Sequence, residues 1–275
     1  MKIKYFLFSL YFLSYSMINV SNAEPIVGKN VKKVEVNEYP FIVSLHGYSR
    51  RPFVNKKHFC GGTLISQNHV LTASHCIVED SFMKEVEVIA GSPNLKSNNL
   101  KRFKPIEWLK FKDWAHKKGA EYKKGFSDIA VLKLNVDDTG IKHVTLLPPQ
   151  EVLSRDSDFI LAGWGITNGG SIPTIMRKVS LKMLSKADCM SRVDYLQPNH
   201  KIDIKHDSAL CFMATPYALG LCGDSGSPFL DKNLNLVGVH SGRCPYVQGF
   251  HHLQVNLGIN VNYFREFIEY AIQHL

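Results

Sequence analysis

Leu221-Cys222-Gly223-Asp224-Ser225-Gly226-Ser227-Pro228 sets one serine between two glycines, directly after an acid and a cysteine. Glycine admits the backbone angles of a tight turn, so a seryl oxygen and the N–H groups around it can face a single carbonyl, as acyl transfer requires. Such a turn proves little in isolation. Two upstream stretches supply its chemical company: Thr72-Ala73-Ser74-His75-Cys76 brings a histidine, and Ser127-Asp128, leading into Ile129–Leu134, brings an aspartate. A hydroxyl attacks a peptide at neutral pH only when a neighbouring base takes its proton, and imidazole titrates in the right range. An aspartate beside that imidazole fixes its tautomer and stabilises its charged form. His75, Asp128 and Ser225 are therefore the candidate catalytic residues.

Further landmarks stand in order along the chain: Ile26-Val27-Gly28-Lys29, Tyr39–Leu45, His58-Phe59-Cys60-Gly61-Gly62, Ala162-Gly163-Trp164-Gly165 and the closing segment from Val261 to Leu275. With these motifs, from Ile26 almost to its end, the chain resembles the trypsin/chymotrypsin family of secreted serine endopeptidases. The resemblance implies an all-β fold: two six-stranded antiparallel β-barrels (chymotrypsin-like) with a C-terminal α-helix, joined around Asp137 to Pro149. The first barrel would span about 26–140 and carry His75 and Asp128. The second, about 141–275, would carry Ser225, so the site would lie at the seam. The N–H groups of Gly223 and Ser225 would form the oxyanion hole. Ser241 would bond the buried aspartate and, with Gly242, contact substrate. An amine freed at Ile26 would turn inward and pair with Asp224, because a buried carboxylate without a counter-charge is costly.

The gross features agree with export. Met1–Ala23 has a basic head at Lys2 and Lys4, an apolar run around Tyr5 to Leu13, and small residues at Ser21 and Ala23, the pattern of a signal peptide. Ser14, Ser16 and Asn19 interrupt the run well short of the roughly 20 apolar residues that span a bilayer, which disfavours a membrane anchor. Only Glu24 and Pro25, a residual propeptide without a tryptic site, then precede Ile26. A dipeptidyl peptidase that cuts after proline suits this X-Pro pair. Short alternating or β-branched runs at Phe41–Leu45, Thr63–Ser66, Val86–Ile89, Ile129–Leu134, Phe159–Ala162, Val179–Met183 and Leu236–His240 argue for barrels or a sandwich. Helical periodicity is clear only at the end, where Tyr263, Phe264, Phe267, Ile268 and Ile272 form one apolar stripe.

Six cysteines in an exported chain suggest three bridges, and sequence alone permits fifteen pairings. The family pattern selects Cys60 with Cys76, Cys189 with Cys211, and Cys222 with Cys244. A zinc reading is weak because no C-x-x-C pair or H-E-x-x-H helix occurs, and His251 and His252 read as loop residues. Neither metal nor cofactor is expected. Without the first 25 residues the chain carries 31 basic and 23 acidic side chains, spread widely enough to favour a solvated surface over a polyanion partner. Two loops are locally basic: Arg50, Arg51, Lys56 and Lys57, and Lys110, Lys112, Lys117, Lys118, Lys123 and Lys124. The resemblance puts both beside the cleft, which suggests acidic substrate flanks or glycan anchoring. The expected partners are protein or peptide substrates and serine protease inhibitors, with no nucleic acid or membrane, and the expected state is a secreted monomer.

Specificity reads less directly. Cys222 touches Gly223, where the family has one residue between cysteine and glycine, so the pocket base falls at Leu219 counting from Ser225 or at Gly220 counting from Cys222. Neither is an acid, so a basic side chain before the cut has no partner, and an apolar or aromatic one is expected, with small residues as the elastase-like alternative. The family tryptophan after Ser241 is absent; Gly242 and Arg243 stand there. This departure motivates a second reading, a catalytically silent homologue acting as a binding or interaction protein. A third is glycan or membrane-surface binding through the basic loops.

Overall fold

The computed structural model describes residues 27–28, 30–47, 57–122, 126–167, 170–198, 204, 206–244 and 251–275. Met1–Ala23, Glu24, Pro25, Ile26, Arg50, Arg51, Lys56, Lys123 and Lys124 lie outside the described residues.

Two β units dominate. The first is a seven-stranded antiparallel sheet, in spatial order Lys101–Phe103, Glu87–Ala90, Ile42–Gly47, Lys57–Leu64, His69–Thr72, Ala130–Leu134 and Pro105–Lys110. Its two outermost strands are separated in sequence by Lys104 alone, so the chain itself joins the edges and the sheet must curl. Asn135 fastens that junction: its N–H donates to the Lys104 carbonyl, and its Oδ1 accepts from the Lys104 N–H at 2.8 Å. In the second unit, Asn235–Cys244, Pro228–Leu230, Asp158–Gly163, Arg177–Met183, Ala209–Met213 and Val255–Asn260 pair in turn, and the last returns to the first. That ring is a closed six-stranded antiparallel barrel. Thr145–Leu146, from the connection between units, adds to it in parallel at Asn235–Leu236.

The strands follow from residue type. Val43, Leu45, Val70, Leu71, Val131, Leu132, Val237 and Val239 are fully buried, and β-branched or leucyl side chains pack well on a pleated surface. The second barrel is filled by Phe159, Phe212 and Phe229, the latter two stacked with centroids 4.3 Å apart. A larger cluster fills the first unit and continues across the seam through Trp164, Leu230, Val239 and Val261.

The terminal helix, Arg265–His274, buries Phe267, Ile268 and Ala271. Each large side chain contributes about 1.5–3 kcal/mol on leaving water. The stripe lands on a helix that the sequence reading missed, Phe111–Lys118, where the Phe111 ring stands edge-on to Phe264 and Phe267 at 4.6 and 5.4 Å. A second missed helix, Lys186–Leu196, starts where Ser185 Oγ accepts the Asp188 N–H at 2.9 Å. Such a cap satisfies a donor that the first helical turn leaves unpaired.

Two expected disulfides are present, Cys60–Cys76 and Cys189–Cys211. The third is not: Cys222 and Cys244 are free thiols. Their surroundings give the reason. Cys222 is exposed on the wall of the cleft, whereas Cys244 is buried among Cys189, Val193, Cys211 and Val255. Setting Cys222 directly against Gly223 turns its thiol outward, while strand pairing of Cys244 with Val255 holds the other inside.

Candidate active site

Each part of the site is set by an adjacent strand. His75 lies in the single 3₁₀ turn Ser74–Cys76 that leaves strand His69–Thr72, and the Cys60–Cys76 bridge ties that turn to the neighbouring strand Lys57–Leu64. A cross-link closing a loop of this length contributes about 3 kcal/mol in the chain-entropy picture. Asp128 precedes strand Ala130–Leu134, which pairs with His69–Thr72. Its Oδ1 accepts the backbone N–H of His75 at 2.8 Å, and its Oδ2 lies 2.7 Å from His75 Nδ1. The imidazole therefore presents Nε2 away from the carboxylate.

Ser241 completes the carboxylate shell from the second barrel, its Oγ donating to Asp128 Oδ2 at 2.6 Å. In the ladder with Val255–Asn260, His240 faces Gly258 and Gly242 faces Leu257, so Ser241 is the extra residue of a β-bulge. A bulge re-aims a side chain out of the strand alternation. Here it turns a strand serine toward the other barrel.

Ser225 sits in the turn between Ala218–Leu219 and Pro228–Leu230. Its carbonyl accepts the Gly61 N–H from the first unit at 2.7 Å, a hydrogen bond across the seam. Gly226, at φ +83°, cannot be replaced cheaply, because a Cβ there would stand 2.2 Å from the Gly61 carbonyl oxygen and 2.3 Å from Thr72 Oγ1. Among the described residues the N–H groups of Gly223 and Ser225 donate to no backbone carbonyl, whereas those of Asp224 and Ser227 donate to Leu221 and Asp224 within the turn and that of Gly226 donates to His240 in the strand Asn235–Cys244. Ser225, Gly223, Cys222 and His75 line one cleft of about 1150 Å³, so both sides of the seam face a common space.

The charge state of the pair follows from its surroundings. Burial pulls His75 down, but the bond and charge of Asp128 prevail and hold its pKa above the usual imidazole value. For Asp128, burial pushes upward and is overcome by the His75 bond and charge and by Ser241, leaving the carboxyl lowered. A hydrogen-bonded, negatively charged orienter beside a neutral imidazole is the arrangement a general base needs. The Cys60 and Cys76 sulfurs near His75 are joined in a disulfide and offer no thiolate to a metal.

Asp224 is fully buried. Oδ1 accepts the Gly165 N–H at 2.8 Å and Oδ2 the Leu221 N–H at 2.9 Å, yet burial still pushes its pKa up to about 6. Val27 and Gly28 pair with Leu219 and Ala218 just before this carboxylate. Leu219 is buried with Leu221 against Ile166 and Tyr217, and Gly220 donates its N–H to Asn256 Oδ1 at 2.7 Å. Neither lines the cleft that holds Ser225.

Sequence reasoning missed two buried histidines that frame the site. His58 Nδ1 lies 2.7 Å from Ser44 Oγ, and Nε2 donates to the Gly223 carbonyl at 2.9 Å, bracing the glycine turn from below. His240 lies under Gly220, where an added Cβ would meet its Nε2 at 2.6 Å, and neither ring nitrogen has a hydrogen-bond partner among the described residues. Trp164 is fully buried and donates Nε1–H to the Pro93 carbonyl at 3.0 Å. His251 and His252 stack on each other at 4.4 Å.

A closed six-stranded barrel and a curled seven-stranded sheet, in place of the two six-stranded barrels expected, meet where a His–Asp pair shares one cleft with the serine of the glycine turn, and this is a chymotrypsin-like serine protease fold. The chain belongs to the trypsin family, whose model, described as Trypsin, matches residues 28–268. It is 32% identical to Hypodermin-A of Hypoderma lineatum over 228 residues, covering 78% of this chain and 76% of that protein. Lectizyme of Glossina austeni is 27% identical over 256 residues, covering 85% and 86%. Trypsin-1 of Astacus astacus is 27% identical over 176 residues, covering 62% and 70%.

Proposed function

We propose that the chain is a secreted serine endopeptidase that cuts peptide bonds through an acyl-enzyme. Ser225 Oγ attacks the scissile carbonyl while His75 Nε2 takes its proton; the same proton then passes to the departing amine. Water repeats the sequence in reverse roles to release the acid. Asp128 keeps Nδ1 protonated and stabilises the imidazolium, and Ser241 shares that charge. The N–H groups of Gly223 and Ser225 stabilise the oxyanion, a contribution of about 3–4 kcal/mol in comparable sites. The observation that carries this reading is the 2.7 Å His75–Asp128 pair, opening with Ser225 into one cleft.

Maturation would remove residues 1–23 as a signal peptide and then Glu24-Pro25, leaving Ile26 as the new terminus of one peptidase unit, 26–275. The pairing of Val27 and Gly28 with Leu219 and Ala218 sets this end of the described chain beside the segment that leads to Asp224, which supports the reading. An Ile26 ammonium reaching Asp224 would give the buried carboxylate a counter-charge, which it has from none of the described residues. The apolar or aromatic preference before the cut rests on the lack of an acid at Leu219 and Gly220, which leaves a basic side chain without a partner there. Among the described residues no helix is long and apolar enough to cross a membrane.

The test is hydrolysis of internally quenched peptides with Phe or Tyr before the cut by the chain beginning at Ile26, with Ser225→Ala as control. Turnover abolished by the substitution is expected. An intact, correctly trimmed chain that cleaves no peptide in a broad library would overturn the reading and favour the silent homologue.

A further inference from the structure

A second hollow, of about 450 Å³, opens on the other side of His75, and its walls include Asp128, Ser241, Lys110, Lys112 and Tyr122. Its charge is one-sided. Among the described residues Asp128 is the only carboxylate in the wall, and both its oxygens are engaged by His75 and Ser241. Among the described residues, neither lysine makes an ion pair.

Lys110 is not a loose surface side chain. It ends strand Pro105–Lys110 opposite Ala130, two residues from Asp128, and the next residue, Phe111, is buried with its N–H on the Ile129 carbonyl at 3.0 Å. Its backbone is therefore fixed by the same strand pair that positions Asp128. Lys110 also borders the larger cleft that holds Ser225, so it stands where the two hollows meet. Lys112 follows, exposed on the first turn of helix Phe111–Lys118. Lys118, on the last turn, points elsewhere, its Nζ lying over the Tyr270 ring at 4.8 Å.

An extended peptide has a place to lie beside this hollow. Pairing of strand Asn235–Cys244 with Pro228–Leu230 stops at Val239, so Ser241 and Gly242 present a strand edge with no neighbour on that side among the described residues. Strand addition to such an edge is a general mode of peptide recognition. The larger cleft continues to Phe59 and Cys60, leaving room for the departing half of the substrate. The acyl half then runs along Ser241 and past the lysines.

We propose that this hollow selects substrates carrying acidic side chains two to four residues before the scissile bond, with Lys110 and Lys112 as the selecting groups. The proposal rests on the endopeptidase reading above. An exposed ion pair contributes a factor of about two to five, and one glutamate shared between two lysines gains less than the product of two such factors, about three- to tenfold. Because the site is open to solvent, salt must erode the effect.

The experiment compares kcat/KM for three internally quenched peptides that differ only in Glu, Gln or Lys three residues before the cut, at low salt and near 0.5 M salt. The order Glu over Gln over Lys is expected, with Glu favoured over Gln by about three- to tenfold at low salt and by under twofold at high salt. In the Lys110→Glu/Lys112→Glu variant the Glu-to-Gln ratio falls below one. That ratio is internal to each preparation, so a poorly folded variant does not mimic the result. A ratio near one, a ratio indifferent to salt, or a larger effect with the acid placed after the cut would each overturn the proposal while leaving the endopeptidase reading intact. A trimmed chain that cleaves none of the peptides and takes up no serine-directed phosphonate would remove both.

Discussion

His240→Val isolates a group that costs this fold stability in acid. His240 is buried with 1% of its surface exposed, and among the described residues neither ring nitrogen makes a hydrogen bond of normal geometry, the Asp224 backbone making only a weak polar approach. Burial, then the charge of His75, pushes its pKa down to about 3 from 6.5, against weaker opposite pulls from the Asp224 backbone and from Asp128. The folded state therefore binds fewer protons than the unfolded chain between these two values. Stability from the neutral imidazole is complete above pH 6.5 and is lost as the pH falls toward 3. At pH 5 the unfolded histidine is 1.5 pH units below its midpoint, so at about 1.4 kcal/mol per unit the folded state has lost about 2 kcal/mol. Valine titrates nowhere, and at pH 7.5 it also removes two unpaired polar atoms that each cost about 1–3 kcal/mol, offset in part by the smaller side chain. Urea unfolding of His240→Val and its parent, both carrying Ser225→Ala to prevent self-digestion, gives the two free energies at pH 7.5 and 5. Because Asp224, His75 and His58 are common to both chains, their titrations cancel. The variant should be the more stable, with its advantage growing by about 2 kcal/mol on acidification. Parallel stability curves would refute the reasoning, since they require an imidazole that is hydrated or paired.

Other consequences follow from the same geometry. Ser241→Ala removes the 2.6 Å bond to Asp128 and, at about 1.5 kcal/mol for a hydrogen bond to a charged group, should lower kcat about tenfold with little change in KM. A base must be neutral to act, so the acid limb of the kcat/KM profile should lie above the ordinary imidazole value, and Asp128→Asn should move that limb to lower pH. Thiol titration should find two free sulfhydryls, Cys222 reacting in the native protein and Cys244 only after unfolding; a titre of zero would restore the third disulfide.

Most of the candidate site was legible in the sequence because its parts are short and locally determined. The glycine turn around Ser225, the histidine beside a cysteine and the aspartate heading a β-branched strand each carry their chemistry within a few residues. The closing helix was equally plain, since Phe264, Phe267 and Ile268 repeat at helical spacing. Helix Phe111–Lys118 was hidden because only Phe111, Trp114 and Ala115 are buried and lysines occupy much of the rest. The pairing of Cys222 with Cys244 failed because it turned on which way two thiols face, and a single missing residue before Gly223 changes that. His58 and His240 drew no functional reading because their importance lies across the fold. One supports a carbonyl 165 positions away, and the other is defined by partners it lacks.

The most direct measurement is peptide mapping of the adduct left by a serine-directed organophosphonate on the chain beginning at Ile26, beside the same chain retaining Glu24-Pro25. One phosphonyl group per molecule on Ser225 is expected in the trimmed form, with much slower labelling in the untrimmed form. A trimmed chain whose Ser225 stays unmodified would contradict the proposal that His75, Asp128 and Ser225 form a working nucleophilic centre.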